Sequence, residues 1–347
     1  MARLKAKVNE KWITGDNAQQ LVNNALAAHH TPVCGKSFRD YANHFIALYK
    51  AQGSIAQSTL VGYRGYLKNH ILPALGDMDL KDITVDTVQT YINSKASACA
   101  RKTLKEHITL AAEIMDGALE DGWIAKNPFR SSRLKIIGQE STVVEAFTVD
   151  EYHLFEQEIL PILPTSAKLF AAITLYTGMR RGEICALRWE DIDFSLKRIH
   201  VTKAVSWPGQ NQGILKQPKT HNGVRHPIII LPLLVILLQY RKEQGYVIQG
   251  ERAKEDAPIT RQGIKRLYER IDRAVTDSGC GVDFHSINRR GRHTIATFMN
   301  NAALDEKTIE SQLGHYDVRF TRQRYMNAQA RQEEKSMAQL AEYIAQI

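Results

Sequence analysis

The residue types best suited to chemistry lie between Arg292 and Tyr325, where an arginine, a histidine (His315) and a tyrosine follow one another. Guanidinium groups are planar and permanently charged, so they match the spread negative charge of a phosphoryl-transfer transition state. A tyrosine hydroxyl can act as a covalent nucleophile, and a histidine can donate a hydrogen bond or help to move a proton. The set predicts attack on a phosphodiester without a metal ion.

Two short helical patterns position these groups. Their apolar residues lie at helical spacing: Ile295, Phe298 and Met299, then Ile309 and Leu313. Gly314 is typical of the left-handed residue that ends a helix, so His315 is expected directly after a helix C-terminus. Polar chemistry is thus expected at helix ends above a packed interior.

Length and composition indicate a globular protein with two domains. The chain has 347 residues, of which 44% are hydrophobic and 24% charged. Its longest apolar run, residues 227–238, is too short to span a bilayer, so no membrane partner is expected. The four cysteines are far apart and lack metal-ligand spacing, which favours reduced thiols in a cytoplasmic protein.

The net charge of +9 is unevenly distributed. Residues 195–226, 284–304 and 318–332 contain six, three and four basic residues and no acidic one. Clustered positive charge is the electrostatic pattern of a protein that binds a phosphate backbone. We therefore expect a nucleoid-associated DNA-binding protein.

Helical periodicity divides the chain. Residues 1–36 are predicted to be an arm or extension, and residues 37–130 a compact module of four helices. Residues 131–146 lose the helical period and predict an extended linker, followed by a second domain over 147–347. The module's aromatic and basic candidates for DNA contact are Tyr63, Arg64, Lys68, Arg101, Lys102 and Lys105. Taken singly, each is better explained as part of a solvated face.

Start and stop signals refine the helices. Ser37 is placed as the N-cap of the first helix, and Thr148 has the spacing of a capping box. A helix over residues 57–71 is expected to end before Pro73. Gly178 is expected to end a strongly apolar helix.

The second domain is predicted to combine helices with short strands. Three strands are expected at residues 197–205, 213–217 and 224–231, and further helices at 234–244 and 261–278. The expected fold is mainly α with a small antiparallel β-sheet (α+β).

Five motifs occur in a fixed order: TGMRRGE at 177–183, PKT at 218–220, RHT at 292–294, LGH at 313–315 and RY at 324–325. They resemble the motifs of the tyrosine recombinase (phage integrase) family, and the resemblance covers about residues 37–347. It implies a SAM-like core DNA-binding domain followed by a catalytic domain, arranged as a C-shaped clamp around DNA.

The resemblance also implies roles for matched residues. The implied catalytic residues are Arg180, Lys219, Arg292, His315 and Tyr325, with Glu183 as a support. Tyr325 would attack DNA to form a 3′-phosphotyrosyl link, and Lys219 would protonate the leaving 5′-oxygen. Lys216 and Arg225, on either side of this lysine, are predicted to contact DNA.

The sequence departs from the family at two points. Arg289 occupies the position, three residues before Arg292, where the family usually has histidine. Arginine cannot act as a base at neutral pH, so Arg289 is assigned to stabilising the phosphate. Tyr325 lies ten positions after His315 where nine is usual, which alters the local geometry before the tyrosine.

The implied function is integration or excision of a phage or mobile element, with no cofactor. The implied partners are double-stranded DNA recombination sites and three further copies of the chain in a tetramer. The final helix, residues 333–347, would dock on a neighbouring copy. An accessory DNA-bending protein is a further candidate partner.

Two alternatives stay open at this point. One is a catalytically impaired DNA-binding regulator of the same fold, which Arg289 and the long histidine-to-tyrosine spacing would support. The other is a Xer-like or topoisomerase IB-like strand transferase, which shares the first step and differs in how the strands are rejoined.

Overall fold

The structure is a computed structural model that divides the chain into two compact units, Met1–Thr142 and Val143–Ile347. It describes residues 5–8, 11–14, 35–50, 53, 55–140, 145–217, 223–250, 256–282, 284 and 287–314. The predicted helix at 333–347 lies outside these residues. No helix in the described ranges has both the length and the apolar composition needed to cross a membrane.

The first unit is helical after an N-terminal hairpin. Strands β1 (Lys5–Val8) and β2 (Lys11–Thr14) pair antiparallel within the predicted arm. The helices are α1 (Phe38–Phe45), α2 (Gln57–Tyr66), α3 (Leu72–Leu75), α4 (Val85–Lys95) and α5 (Arg101–Glu120). Their buried faces share one hydrophobic core, to which Phe38, Ile71 and Ile114 contribute fully buried side chains.

Local signals explain where these helices begin. The Ser37 hydroxyl accepts the Asp40 N–H at 3.1 Å, which confirms the predicted N-cap. The expected stop before Pro73 is wrong, because α2 continues through a π-helical turn at Leu67–Ile71 into α3. Pro73 has no N–H to donate, and the π-helical turn directly before it accommodates this break in the helical hydrogen bonds.

The second unit is built around one buried helix. Its helices are α6 (Val149–Leu154), α7 (Leu160–Ile162), α8 (Thr165–Thr177), α9 (Arg181–Ala186), α10 (Leu231–Gln239), α11 (Arg261–Ser278), α12 (Ile287–Asn301) and α13 (Glu306–Leu313). Every residue of α8 from Leu169 to Thr177 is buried, and α12 packs along it. The capping box at Thr148 is confirmed, and so is the left-handed stop of α8 at Gly178, where φ is +63°.

The β-structure is smaller than predicted. Strand β3 (Ile192–Asp193) pairs with β4 (Arg198–Ile199), and β5 (Ala204–Ser206) with β6 (Ile214–Lys216), all antiparallel. The predicted strand over 197–205 is therefore two strands, and β3 was not predicted. The fold class, mainly α with a small antiparallel β-component, is confirmed.

The prediction of a third continuous strand over residues 224–231 is wrong. This segment makes isolated bridges at Arg225 and Ile228 and leads directly into α10 at Leu231. It keeps the alternating burial of a strand, but Pro227 has no N–H to donate to a continuous ladder. The helix predicted at 234–244 therefore begins earlier, and it ends at Gln239.

Candidate active site

Arg180 lies in the short turn between α8 and α9. Its backbone is extended (φ −71°, ψ 148°), and it is the N-cap residue of α9. The Arg180 N–H donates to Glu183 Oε2 at 2.8 Å, and its Nη1 donates to Glu183 Oε1 at 2.9 Å. The Arg180 side chain remains 47% exposed. Its guanidinium is therefore held by Glu183 on one side and open to solvent on the other.

Glu183 is the centre of a buried ion pair. Arg225 Nη1 and Nη2 donate to its two carboxylate oxygens at 3.0 and 2.7 Å, and both side chains are more than 90% buried. Burial by itself raises the pKa of the Glu183 carboxyl. The hydrogen bonds and charge of Arg225, with smaller contributions from Arg180, outweigh that effect and lower its pKa below 4.5. Glu183 is therefore ionised at neutral pH and orients both arginines.

The position of Arg225 does not fit the DNA contact predicted for it. Besides pairing with Glu183, its Nε donates to Gln312 O at 3.0 Å, and the residue is only 5% exposed. A guanidinium enclosed in this way would have to leave its carboxylate to reach a phosphate. The sequence pattern gave no sign of this inward orientation, because Arg225 and Glu183 are 42 residues apart.

Arg292 lies in the first half of α12 and reaches back to the same turn. Its Nη1 donates to Gly178 O at 2.6 Å. Helices α8 and α12 are in close contact, since a Cβ at Gly291 would lie 2.8 Å from Thr174 Cγ2 on α8. The Arg292 side chain therefore has only a short distance to span. Both arginines predicted to be catalytic therefore meet at the turn 178–180: Arg180 is part of it, and Arg292 donates a hydrogen bond to it.

Three arginines converge on the carboxyl end of α13. The bonds run from Arg225 Nε to Gln312 O at 3.0 Å, from Arg292 Nη2 to Leu313 O at 2.6 Å, and from Arg180 Nη2 to Gly314 O at 3.0 Å. The last carbonyls of a helix lack intrahelical partners and carry partial negative charge, so cations are stabilised there. Gly314 has φ +65°, which confirms the predicted left-handed cap. His315 is the next residue in the chain.

Of the remaining predicted catalytic residues, the structure describes only Arg289. Arg289 lies on α12 and is exposed. Lys219, His315 and Tyr325 lie outside the described residues, and their roles stay predictions.

The β5–β6 hairpin, which precedes Lys219 in the chain, packs against α9. Lys216, the last residue of β6, pairs with Ala204 of β5. A Cβ at Gly182 of α9 would lie 2.5 Å from Val205 O, so β5 and α9 are in direct backbone contact. Only glycine permits this approach, and it places the hairpin beside the helix that Arg180 caps.

Asn288 is a residue that sequence reasoning missed. Its Oδ1 accepts the Arg181 N–H at 3.0 Å, and its Nδ2 donates to Met179 O at 3.1 Å. These are the backbone groups on either side of Arg180. The available signal was its position four residues before Arg292, which places both side chains on one face of α12.

The predicted DNA contacts of the first unit separate into two grooves. Tyr63, Lys102 and Lys105 line a groove of about 570 Å³, and Arg64 and Lys68 line another of about 450 Å³. The sixth candidate, Arg101, is exposed at the start of α5. All three lysines are exposed. These positions leave the side chains available to a ligand.

Replacing Gly178 with alanine is expected to destabilise the site more than a left-handed glycine normally would. A Cβ there would lie 2.7 Å from the buried Leu313 Cδ2, in addition to the strain of φ +63°. Gly279→Ala is the matched control, because Gly279 caps α11 at φ +66° with nothing within 4 Å of its Cβ position. Both variants carry a left-handed cost of about 1–2 kcal/mol, and crowding adds about 1 kcal/mol or more at Gly178. Equal losses in thermal unfolding would contradict this tight approach of the turn to α13.

A comparison with known protein families assigns the chain to the same family as the motifs do. The sequence pattern of the phage integrase family matches residues 147–332, more than half of the chain. The chain belongs to the phage integrase family. A second pattern, the N-terminal SAM-like domain of phage integrases, matches residues 37–96. Family membership makes the chain a site-specific recombinase, as the motif order predicted.

Curated relatives support the same assignment. The chain is 25% identical to a XerC-like tyrosine recombinase of Caldanaerobacter subterraneus subsp. tengcongensis, over 82% of this chain and 77% of that one. It is 25% identical to the ICEBs1 integrase of Bacillus subtilis, over 74% and 70% of the two chains. Among the first such relatives, the chain spans 59% to 77% of their length. A DNA-binding regulator without activity is not favoured by these matches.

Solved structures show the same fold. The Tn1549 transposon integrase in complex with transposon right end DNA has a TM-score of 0.72 at 18% identity, covering 87% of this chain and 100% of that one. The lambda integrase tetramer bound to a Holliday junction has a TM-score of 0.60 at 18% identity, covering 90% and 93%.

Proposed function

We propose that this recombinase cuts and rejoins DNA by two transesterifications through a 3′-phosphotyrosyl intermediate. The observation that carries the proposal is the convergence of Arg180 and Arg292 on one helix end, immediately before His315. Two permanent positive charges at fixed spacing suit the two non-bridging oxygens of a phosphodiester. In this structure, backbone carbonyls accept hydrogen bonds from the same guanidinium groups.

In the first step, the Tyr325 oxygen attacks phosphorus as its hydroxyl proton passes to His315 or water, and the bond from phosphorus to the 5′-oxygen breaks. Lys219 gives a proton to that oxygen, which departs as a 5′-hydroxyl. Arg180, Arg292 and His315 stabilise the charge that builds up on the phosphoryl oxygens, and the exposed Arg289 adds positive charge. Preorganised donors of this kind account for most of the expected acceleration.

In the second step, a 5′-hydroxyl from another DNA strand attacks the phosphotyrosyl bond and releases Tyr325. The number of phosphodiester bonds is unchanged, so the exchange requires no external energy source. The direction in which the element moves is set by which strands are brought together.

The two units would then have separate tasks. We assign residues 37–130 to core-site DNA binding, 131–146 to the linker, 147–347 to catalysis and 1–36 to an N-terminal arm. The family patterns at 37–96 and 147–332 support this division. The candidate DNA contacts are the groove residues and others named above: Tyr63, Arg64, Lys68, Arg101, Lys102, Lys105 and Lys216.

We propose that four protomers act on two duplexes in the bacterial nucleoid. The lambda integrase of the same fold forms a tetramer on a Holliday junction, which supports this assembly. Residues 333–347 are our candidate for the contact between copies, and an accessory DNA-bending protein remains a candidate partner.

Trapping the intermediate tests the function. A duplex nicked close to the cleavage site loses its short 5′-hydroxyl strand by diffusion, so the covalent complex should accumulate. We expect an SDS-stable adduct between the protein and the recombination site, with the DNA attached at a tyrosine found by peptide mass spectrometry. Specific binding of this DNA without any adduct would contradict the proposal and favour the regulator.

Replacing Lys219 with alanine should slow cleavage by about 10²- to 10⁴-fold, the usual contribution of a general acid. A substrate with sulfur in place of the bridging 5′-oxygen should restore the rate, because a thiolate leaves without needing a proton. Lys216→Ala is the matched control: because Lys216 is a candidate DNA contact, any loss of rate should be equal on the two substrates. If sulfur rescued Lys216→Ala instead, the general acid would be misassigned.

A further inference from the structure

Asn288 contacts both backbone groups that flank Arg180. Met179 O can only accept a hydrogen bond, and the Arg181 N–H can only donate one. The Asn288 amide supplies the matching donor and acceptor at 3.1 and 3.0 Å, and this pairing fixes the orientation of the amide. Its Nδ2 also lies 3.3 Å from Thr174 Oγ1 on the buried helix α8.

The turn that carries Arg180 needs such a support. Gly178 ends α8, and α9 begins at Arg181, so the intervening backbone is outside both helices. The Arg181 N–H belongs to the first turn of α9, where backbone donors have no helical partner. Without Asn288, this N–H and Met179 O would lose their partners together.

The same face of α12 carries the second arginine. Asn288 binds the groups on either side of Arg180, and Arg292, one helical turn later, binds Gly178 O at 2.6 Å. One helix therefore holds three backbone groups in and beside the turn: Gly178 O, Met179 O and the Arg181 N–H.

We propose that Asn288 is a positioning residue that sets the spacing between the Arg180 and Arg292 guanidinium groups. It does not touch the substrate and acts through Arg180. The inference rests on the proposed function, because the spacing matters only if both groups bind one scissile phosphate. Displacement of a reacting group by about 1 Å is sufficient to cost about 10²-fold in rate.

The test compares two substrates. One carries the ordinary scissile phosphate, and the other a methylphosphonate, in which a methyl group replaces one charged non-bridging oxygen. Because the methylphosphonate carries no negative charge, its cleavage depends less on a second guanidinium. Asn288→Ala should therefore cleave the ordinary phosphate about 10²-fold more slowly than the wild type, with DNA affinity retained, and should lose much less on the methylphosphonate. Arg180→Ala should show the same pattern.

The controls separate the possible outcomes. Asn301→Ala, at the exposed end of α12, should match the wild type on both substrates. If Asn288→Ala does not fold, Asn288→Asp keeps the acceptor for the Arg181 N–H, loses the donor to Met179 O, and serves in the same comparison. Equal losses on both substrates, or no loss, would overturn the positioning role. If the wild type itself cleaved neither substrate, the proposed function would fail instead.

Discussion

Tyr325→Phe is expected to eliminate the covalent protein–DNA adduct completely and to leave DNA affinity unchanged. Phenylalanine keeps the ring and its packing but has no oxygen to attack phosphorus, so the first transesterification cannot occur. Adducts on the nicked substrate are counted on a denaturing gel, and affinity is measured by a mobility shift at fixed salt. The salt must be fixed because contacts to the DNA backbone weaken steeply as it rises.

Tyr316→Phe is the matched control for this experiment. Tyr316 directly follows His315, so it is too close to that residue to take the place of the nucleophile. The variant should form the adduct in normal yield. A Tyr325→Phe protein that still formed an adduct, or a Tyr316→Phe protein that formed none, would require a new assignment of the nucleophile.

Glu183→Gln is expected to lower the free energy of unfolding by about 3–5 kcal/mol, the usual cost of removing one partner of a buried ion pair. The Arg225 guanidinium would remain more than 90% buried without a countercharge, and Arg180 would lose an ionic contact. Urea unfolding measures the first effect, and the cleavage rate measures the second.

An exposed pair on α11 gives the comparison. Lys265 and Glu269 are 3.5 Å apart with side chains 69% and 51% exposed, so Glu269→Gln should cost less than about 1 kcal/mol. A double variant that replaces Glu183 with leucine and Arg225 with methionine should recover part of the lost stability but none of the activity. Similar stability losses for Glu183→Gln and Glu269→Gln would show that the buried pair is not important for the fold.

The pH dependence of stability follows from the same pair. Because the folded-state pKa of Glu183 is lowered below 4.5, its stabilising contribution is fully present above the unfolded value. It is lost as the pH falls through the folded-state pKa. The stability difference between the wild type and Glu183→Gln should therefore be constant near neutral pH and shrink in acid below pH 4.5.

Features that depend on neighbouring residues were predictable from the sequence. Ser37 and Thr148 begin helices, and Gly178 and Gly314 end them, because a cap is decided by hydrogen bonds within a few residues. The bounds of α11 were also predicted, because its apolar positions follow one clear period. The motif order alone identified the family and the candidate residues, since it preserves residue types and spacing.

How those residues meet depends on contacts between elements that are far apart in the sequence. Arg225 has the sequence context of a surface cation six residues after Lys219, yet it is buried on a carboxylate 42 residues away. Asn288 and the last carbonyls of α13 became part of the site only once the helices were packed. Residue types and their spacing show which groups could do the chemistry. Their common position was set by long-range packing and by the need to satisfy every buried polar group, and no local pattern records either constraint.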